Sequence, residues 1–132
     1  MSCLRSALPL ILLLVVTALL AACGNEAAPF AVNEQAQIAC TAECADRGQC
    51  GELGDGRRAV LANEGAPAVT AQNRFFVNET PVTVLDIQPR ELIAARDGVA
   101  LIAEATSFPH MFYSVTDGTK TAWVSEWCLA RP

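Results

Sequence analysis

The chain has 132 residues, 52% of them hydrophobic, with 14 acidic and 9 basic side chains, six cysteines and one histidine. That length accommodates a single small domain. The acidic balance, with no basic run longer than Arg57-Arg58, excludes nucleic-acid binding by phosphate neutralisation.

The apolar residues are concentrated at the start. Met1 to Ala22 carries one charge, Arg5, then an apolar run through Leu8 to Val16, then the small pair Ala21-Ala22. This order of charged, apolar and small residues is that of an export signal. Its apolar stretch, about 16 residues from Ala7 to Ala22, is shorter than the ~20 a helix needs to cross hydrocarbon. Removing it takes away Arg5 and no acid, so the formal charge of −5 becomes −6 over the remaining 110 residues.

Leu20-Ala21-Ala22-Cys23-Gly24 resembles the bacterial lipoprotein signal, in which the cysteine thiol accepts a diacylglycerol thioether before cleavage. The resemblance implies that Cys23 is the acylated first residue of the mature protein. It also implies attachment to the cell membrane or outer membrane on the extracytoplasmic side, since two or three acyl chains at ~0.8 kcal/mol per buried methylene hold a protein there permanently. Gly24 to Gln37 shows no sustained apolar period and reads as a flexible tether. Four segments are therefore expected: a signal peptide (1–22), a lipidated tether (23–37), a cysteine-rich helix and turn (38–53) and a β domain (54–132).

Setting aside Cys3 with the signal and Cys23 with the lipid leaves Cys40, Cys44, Cys50 and Cys128. An even number in a small exported domain implies disulfides. A four-cysteine zinc site has the right ligand count, but the spacing lacks paired C-x-x-C motifs and an oxidising compartment disfavours thiolates. Ala36 to Arg47 reads as a short helix ended by Gly48, which puts Cys40 and Cys44 one turn apart and directs each to a different partner. The reversal at Gly48 brings Cys50 nearest Cys44. That favours Cys44 with Cys50 and Cys40 with Cys128, and leaves the crossed pairing open.

From Gly54 onward, β-rich runs alternate with turn residues. The expected strands are Arg57 to Asn63, Ala68 to Gln72, Val82 to Ile87, Glu91 to Ala95, Val99 to Ala105, Met111 to Val115 and Ala122 to Ser125. Arg96-Asp97-Gly98 and Thr116-Asp117-Gly118-Thr119 are hairpin turns between neighbouring strands. Many short strands in so small a domain imply a small barrel or sandwich.

Phe112 to Leu129, an aromatic-led strand, a D-G turn and an A-W-V strand ending in a short turn, resembles the C-terminal half of a bacterial SH3-like domain. Asn78-Glu79-Thr80-Pro81-Val82-Thr83-Val84-Leu85 resembles that family's polar turn and first core strand. The likeness covers Phe75 to Leu129 and departs from the family at Ala122, where glycine is usual, and over Arg90 to Pro109, which is longer than a minimal connection. It implies a mainly β fold, a small SH3-like barrel preceded by the disulfide-linked helix. It further implies a shallow aromatic-lined groove for cell-wall peptide or glycan, and assigns Tyr113, Trp123 and Trp127 as the ligand-binding residues.

No catalytic constellation is legible. His110 follows Pro109 between two strands and reads as an exposed or capping histidine, the carboxylates are scattered, and neither a metal nor a cofactor is implied. Asn78-Glu79-Thr80 fits a glycosylation sequon by chance. The expected function is that of a membrane-anchored, non-enzymatic envelope lipoprotein whose binding module takes peptidoglycan or a protein partner. The competing expectations are an accessory lipoprotein docked permanently on another envelope protein and, more remotely, a small hydrolase.

Overall fold

The computed structural model describes residues 29–94 and 106–132. The signal peptide, Cys23, the Arg96-Asp97-Gly98 hairpin turn and the expected strand Val99 to Ala105 lie outside them. The described residues form eight strands and one short helix, in order: β1 (Gln35–Ile38), α1 (Ala42–Asp46), β2 (Cys50–Glu52), β3 (Arg58–Ala62), β4 (Arg74–Val77), β5 (Pro81–Ala94), β6 (Thr106–Thr116), β7 (Thr121–Ser125) and β8 (Leu129–Ala130). A single 3-10 turn, Glu126–Cys128, joins the last two strands. Among the described residues no helix is long and apolar enough to cross a membrane.

The fold is mainly β, as expected, but its strands make two antiparallel sheets and no closed barrel. The larger has the order β7-β6-β5-β1-β8 and the smaller β2-β3-β4. They meet at one isolated bridge, where the Asn63 and Trp123 main chains exchange hydrogen bonds of 3.0 and 2.7 Å. Alternation along the strands builds the core between them. Val82 and Val84 of β5, Tyr113 and Val115 of β6 and Val124 of β7 are buried with Val60 and Phe76 of the smaller sheet. Phe76 is buried while its neighbour Phe75 stays 43% exposed, the opposed orientation that adjacent strand positions dictate.

Three expectations are corrected. The tether does not run to Gln37: Phe30 is buried in the core, and Gln35–Ile38 forms β1, wedged between β5 and β8. The reason is a period of two that spans only four residues, with Ala36 and Ile38 inward and the glutamines outward. The helix is confined to Ala42–Asp46, with the Thr41 hydroxyl accepting from the Cys44 N–H as its N-cap, so Cys40 sits in extended chain ahead of it. Gly48 does follow the helix, at φ +70°. The segment Ala68 to Gln72 is not a strand; it belongs to a loop from Asn63 to Asn73.

The cysteines pair in the crossed arrangement, Cys40 with Cys50 and Cys44 with Cys128, with Cα atoms 5.7 and 5.1 Å apart. With Cys40 outside the helix, it faces the start of β2, whereas buried Cys44 faces the 3-10 turn. The Asn78 side chain accepts from the Cys40 N–H at 2.7 Å, and the Thr41 hydroxyl donates to the Trp127 carbonyl at 2.7 Å. The helix, the β4–β5 turn and the chain end are thus fastened together.

β5 and β6 are paired along their whole length, from Thr83 with Thr116 to Ala94 with Thr106, with a bulge between Val84 and Asp86. Glu91 to Ala94 is not a separate strand; it continues β5. Beyond the stretches that β1 and β7 cover, this pair continues as a two-stranded ribbon.

Candidate functional site

β6 presents two faces of different character. Odd-numbered Tyr113 and Val115 point into the main core. Even-numbered His110, Phe112 and Ser114 lie on the other face, beside Trp123 and Ser125 of β7, as the pairings Phe112 with Ser125 and Ser114 with Trp123 require. Of the three residues assigned to ligand binding, therefore, Tyr113 does not share a surface with the others. It is completely buried, edge-on to Phe30 at 5.6 Å. Its hydroxyl is buried without a hydrogen bond of normal geometry among the described residues, and burial pushes its pKa up to about 12. An aromatic preceding a turn-bounded strand gave the correct element but not the face.

Trp127 is half-buried, and around it lies a cluster of aromatic and charged groups. Its indole stacks on the His110 ring, with centroids 3.8 Å apart and planes 33° apart. The guanidinium of Arg47, from the end of α1, lies 4.7 Å from the indole centroid and 5.8 Å from that of Phe108. Phe108 and Trp127 are 6.2 Å apart. Such cation–π contacts favour a guanidinium because it is weakly hydrated and planar. Trp123 lies on the same face, two positions along β7 from Ser125, and makes no ring contact with this cluster.

His110 is not exposed, contrary to the sequence reading. It is 2% exposed and forms the centre of a hydrogen-bonded line. Nδ1 lies 2.7 Å from Glu126 Oε1, and Nε2 lies 2.7 Å from the Ser125 hydroxyl. Burial, followed by the neighbouring Arg47 cation, lowers the imidazole pKa to about 4. The neutral ring therefore donates Nδ1–H to the Glu126 carboxylate and accepts the Ser125 O–H at Nε2. The ring can do both because Glu126 and Ser125 are adjacent in sequence at the point where β7 gives way to the 3-10 turn. The signal available in the sequence was the apolar neighbourhood Phe108-Pro109-His110-Met111-Phe112, which marks an enclosed histidine.

A line of serine, histidine and carboxylate at these distances has the connectivity of an acyl-transfer relay. Its environment differs. The Ser125 Oγ is 2% exposed as part of its residue, and it serves as the N-cap of the 3-10 turn by accepting from the Trp127 N–H at 3.3 Å. The stacked indole covers the imidazole. Here the relay fixes the orientation of Trp127, through a stack on one side and a capping bond on the other.

At the far end of the same sheet face, the β6–β7 turn and the neck of the Asn63–Asn73 loop enclose an open polar cleft of about 550 Å³. It is lined by Glu64, Arg74, Thr116, Gly118, Thr119, Lys120 and Thr121. No group of three potential metal ligands is clustered among the described residues. No protein-family model, curated protein or solved structure matches the chain.

Proposed function

We propose that the chain is a lipid-anchored envelope protein, acylated at Cys23, whose β domain is a non-catalytic SH3-like binding module for a cell-wall peptide or glycan or for a partner protein. The observation that carries this reading is Trp127. It is held at the surface by the His110 stack at 3.8 Å and by the adjoining Cys128 bridge, and it is joined there by Arg47 and Phe108. An aromatic with its orientation fixed before a ligand arrives loses little side-chain freedom on binding, and this raises affinity without new contacts. Tyr113 drops out of the binding surface because it belongs to the core. Trp123 stays as a second aromatic on that face.

The test is retention of the purified protein on isolated sacculi. Wild type should be retained. Trp127→Ala should lower retention at least tenfold, while the circular dichroism spectrum and the Cys44–Cys128 bridge persist. Absence of wild-type retention, together with one dominant partner recovered by crosslinking in cells, would replace this reading by the accessory-lipoprotein one.

The Ser125–His110–Glu126 line favours a second reading, a small serine hydrolase. The sealed hydroxyl argues against it, because an attacking Oγ must reach a carbonyl carbon at about 3 Å. Covalent labelling of Ser125 by a fluorophosphonate probe would overturn that argument.

A further inference from the structure

The polar cleft between the β6–β7 turn and the Asn63–Asn73 loop contains Lys120, the only lysine in the sequence. In a protein with more acidic than basic groups, its surroundings are unusual. Lys120 makes no ion pair among the described residues. Its ammonium instead lies 5.1 Å from the Phe75 ring centroid and 4.9 Å from that of Phe76. The nearest acid in sequence, Asp117, has Oδ1 occupied by the turn itself, accepting from the Thr119 N–H, the Thr119 hydroxyl and the Lys120 N–H at 2.7–3.0 Å. Across the cleft, Arg74 is held by Glu64 at 2.6 Å. The residues lining the cleft thus include two cations and one carboxylate, with the Asp117 carboxylate in the adjoining turn.

Both walls are set before any ligand arrives. On one side, Asn63 Oδ1 accepts from the Gly65 and Ala66 N–H groups, Asn63 Nδ2 donates to the Ala71 carbonyl, and Asn73 Oδ1 accepts from the Glu64 N–H. An eleven-residue loop pinned by its own side chains and closed at the neck by Asn73 N–H to the Ala62 carbonyl is of the compact kind that often carries function. On the other side, the Thr116 hydroxyl donates to the Lys120 carbonyl and accepts from the Gly118 N–H, with Gly118 at φ +90°. The exposed ring of Phe75 adds an apolar shelf beside the ammonium.

We propose that this cleft binds a peptide through a carboxylate, with the anion on Lys120, assisted by Arg74, and an adjacent small apolar side chain against Phe75. Asp117 interacts with the Lys120 charge without forming an ion pair with it, so a charge-assisted contact from a ligand carboxylate to this ammonium breaks no ion pair. The inference rests on the binding-module reading only for where such a peptide comes from, a wall peptide.

The experiment titrates the full mature chain in detergent micelles with N-acetyl-Ala-Ala-Ala bearing a free C-terminal carboxylate, with the corresponding C-terminal amide, and with inorganic phosphate, following ¹H–¹⁵N shifts. The acid should bind at least tenfold more tightly than the amide, with the largest shifts at Glu64, Arg74 and Thr116 to Thr121. Lys120→Gln should weaken acid binding at least tenfold and Lys120→Arg should restore most of it. Equal affinity for acid and amide, shifts centred on Trp127, unchanged binding by folded Lys120→Gln, or tighter binding of phosphate than of the peptide would each overturn the proposal. Sacculus retention that is lost in Trp127→Ala but kept in Lys120→Gln would sink this inference and leave the binding-module reading standing. Peptide binding at the cleft without sacculus retention would do the reverse.

Discussion

His110 concentrates the local physics of the molecule in one ring. It is enclosed, it stacks on Trp127, and it is neutral because burial and the Arg47 guanidinium disfavour its charge. The sign of the resulting pH dependence follows. With a folded pKa lowered to about 4 against an ordinary value of 6.5, the unfolded chain takes up the proton first as the pH falls. The contribution is complete above pH 6.5 and is lost as the pH drops from there toward 4, with a slope limited to about 1.4 kcal/mol per pH unit. Glu126, which accepts the Nδ1–H, opposes this loss in part. We expect wild type to lose about 1 kcal/mol more than His110→Asn between pH 7 and pH 5.5, a window above most carboxylate titration. Chemical denaturation at the two pH values measures it, and parallel losses in the two proteins would show that His110 titrates normally in the fold.

At the scale of elements, legibility depended on how many residues carried each pattern. The β6–β7 hairpin was readable because its turn, Thr116-Asp117-Gly118-Thr119, demands a positive φ that Gly118 supplies, and because five strand positions on either side pair in register. β1 was missed because four residues of alternation are too few to stand out from a polar segment, and only Phe30 and the β5 edge make it a strand. The helix is shorter than its sequence suggests for the converse reason: Ala36 to Cys40 has helix-compatible residues, but sheet pairing overrides that weak preference. The cysteine pairing inherited that error, since a helical Cys40 and an extended Cys40 face different partners. The two bridges should differ in energetic weight. On chain entropy alone, the Cys44–Cys128 bridge, with a separation of 84, is worth about 4.6 kcal/mol and the Cys40–Cys50 bridge, with a separation of 10, about 2.7 kcal/mol. Replacing Cys44 and Cys128 together by alanine should therefore lower stability by about 2 kcal/mol more than replacing Cys40 and Cys50. Denaturant midpoints of the two double variants test the order, and an equal loss would contradict it.

For the whole molecule, a contact near the start of the described residues bears on the proposed lipid attachment. The Arg131 side chain, one residue from the C-terminus, pairs with Glu34 and donates to the Pro29 carbonyl, and its guanidinium lies 5.3 Å from the Phe30 ring. The segment from Pro29 to Glu34 and Arg131 are thereby fixed together, and only residues 24–28 separate Pro29 from Cys23. The six residue steps from Cys23 to Pro29 extend to at most about 22 Å, far less than the fourteen-residue tether read from the sequence would allow. An acylated Cys23 would then hold the β domain close to the lipid surface, limiting reach to ligands within a short distance of that membrane. Acylation itself is directly measurable. Wild type should incorporate radioactive palmitate and sediment with membranes, and Cys23→Ala should do neither while the β domain still folds. Lengthening the segment after Cys23 by about 20 flexible residues, which adds a root-mean-square reach of about 25 Å, should raise crosslinking to sacculi if the ligand lies beyond the native reach. If crosslinking is instead unchanged by the insertion, the native segment already places the domain at its ligand, and the short anchor is a positioning device matched to a target near the membrane.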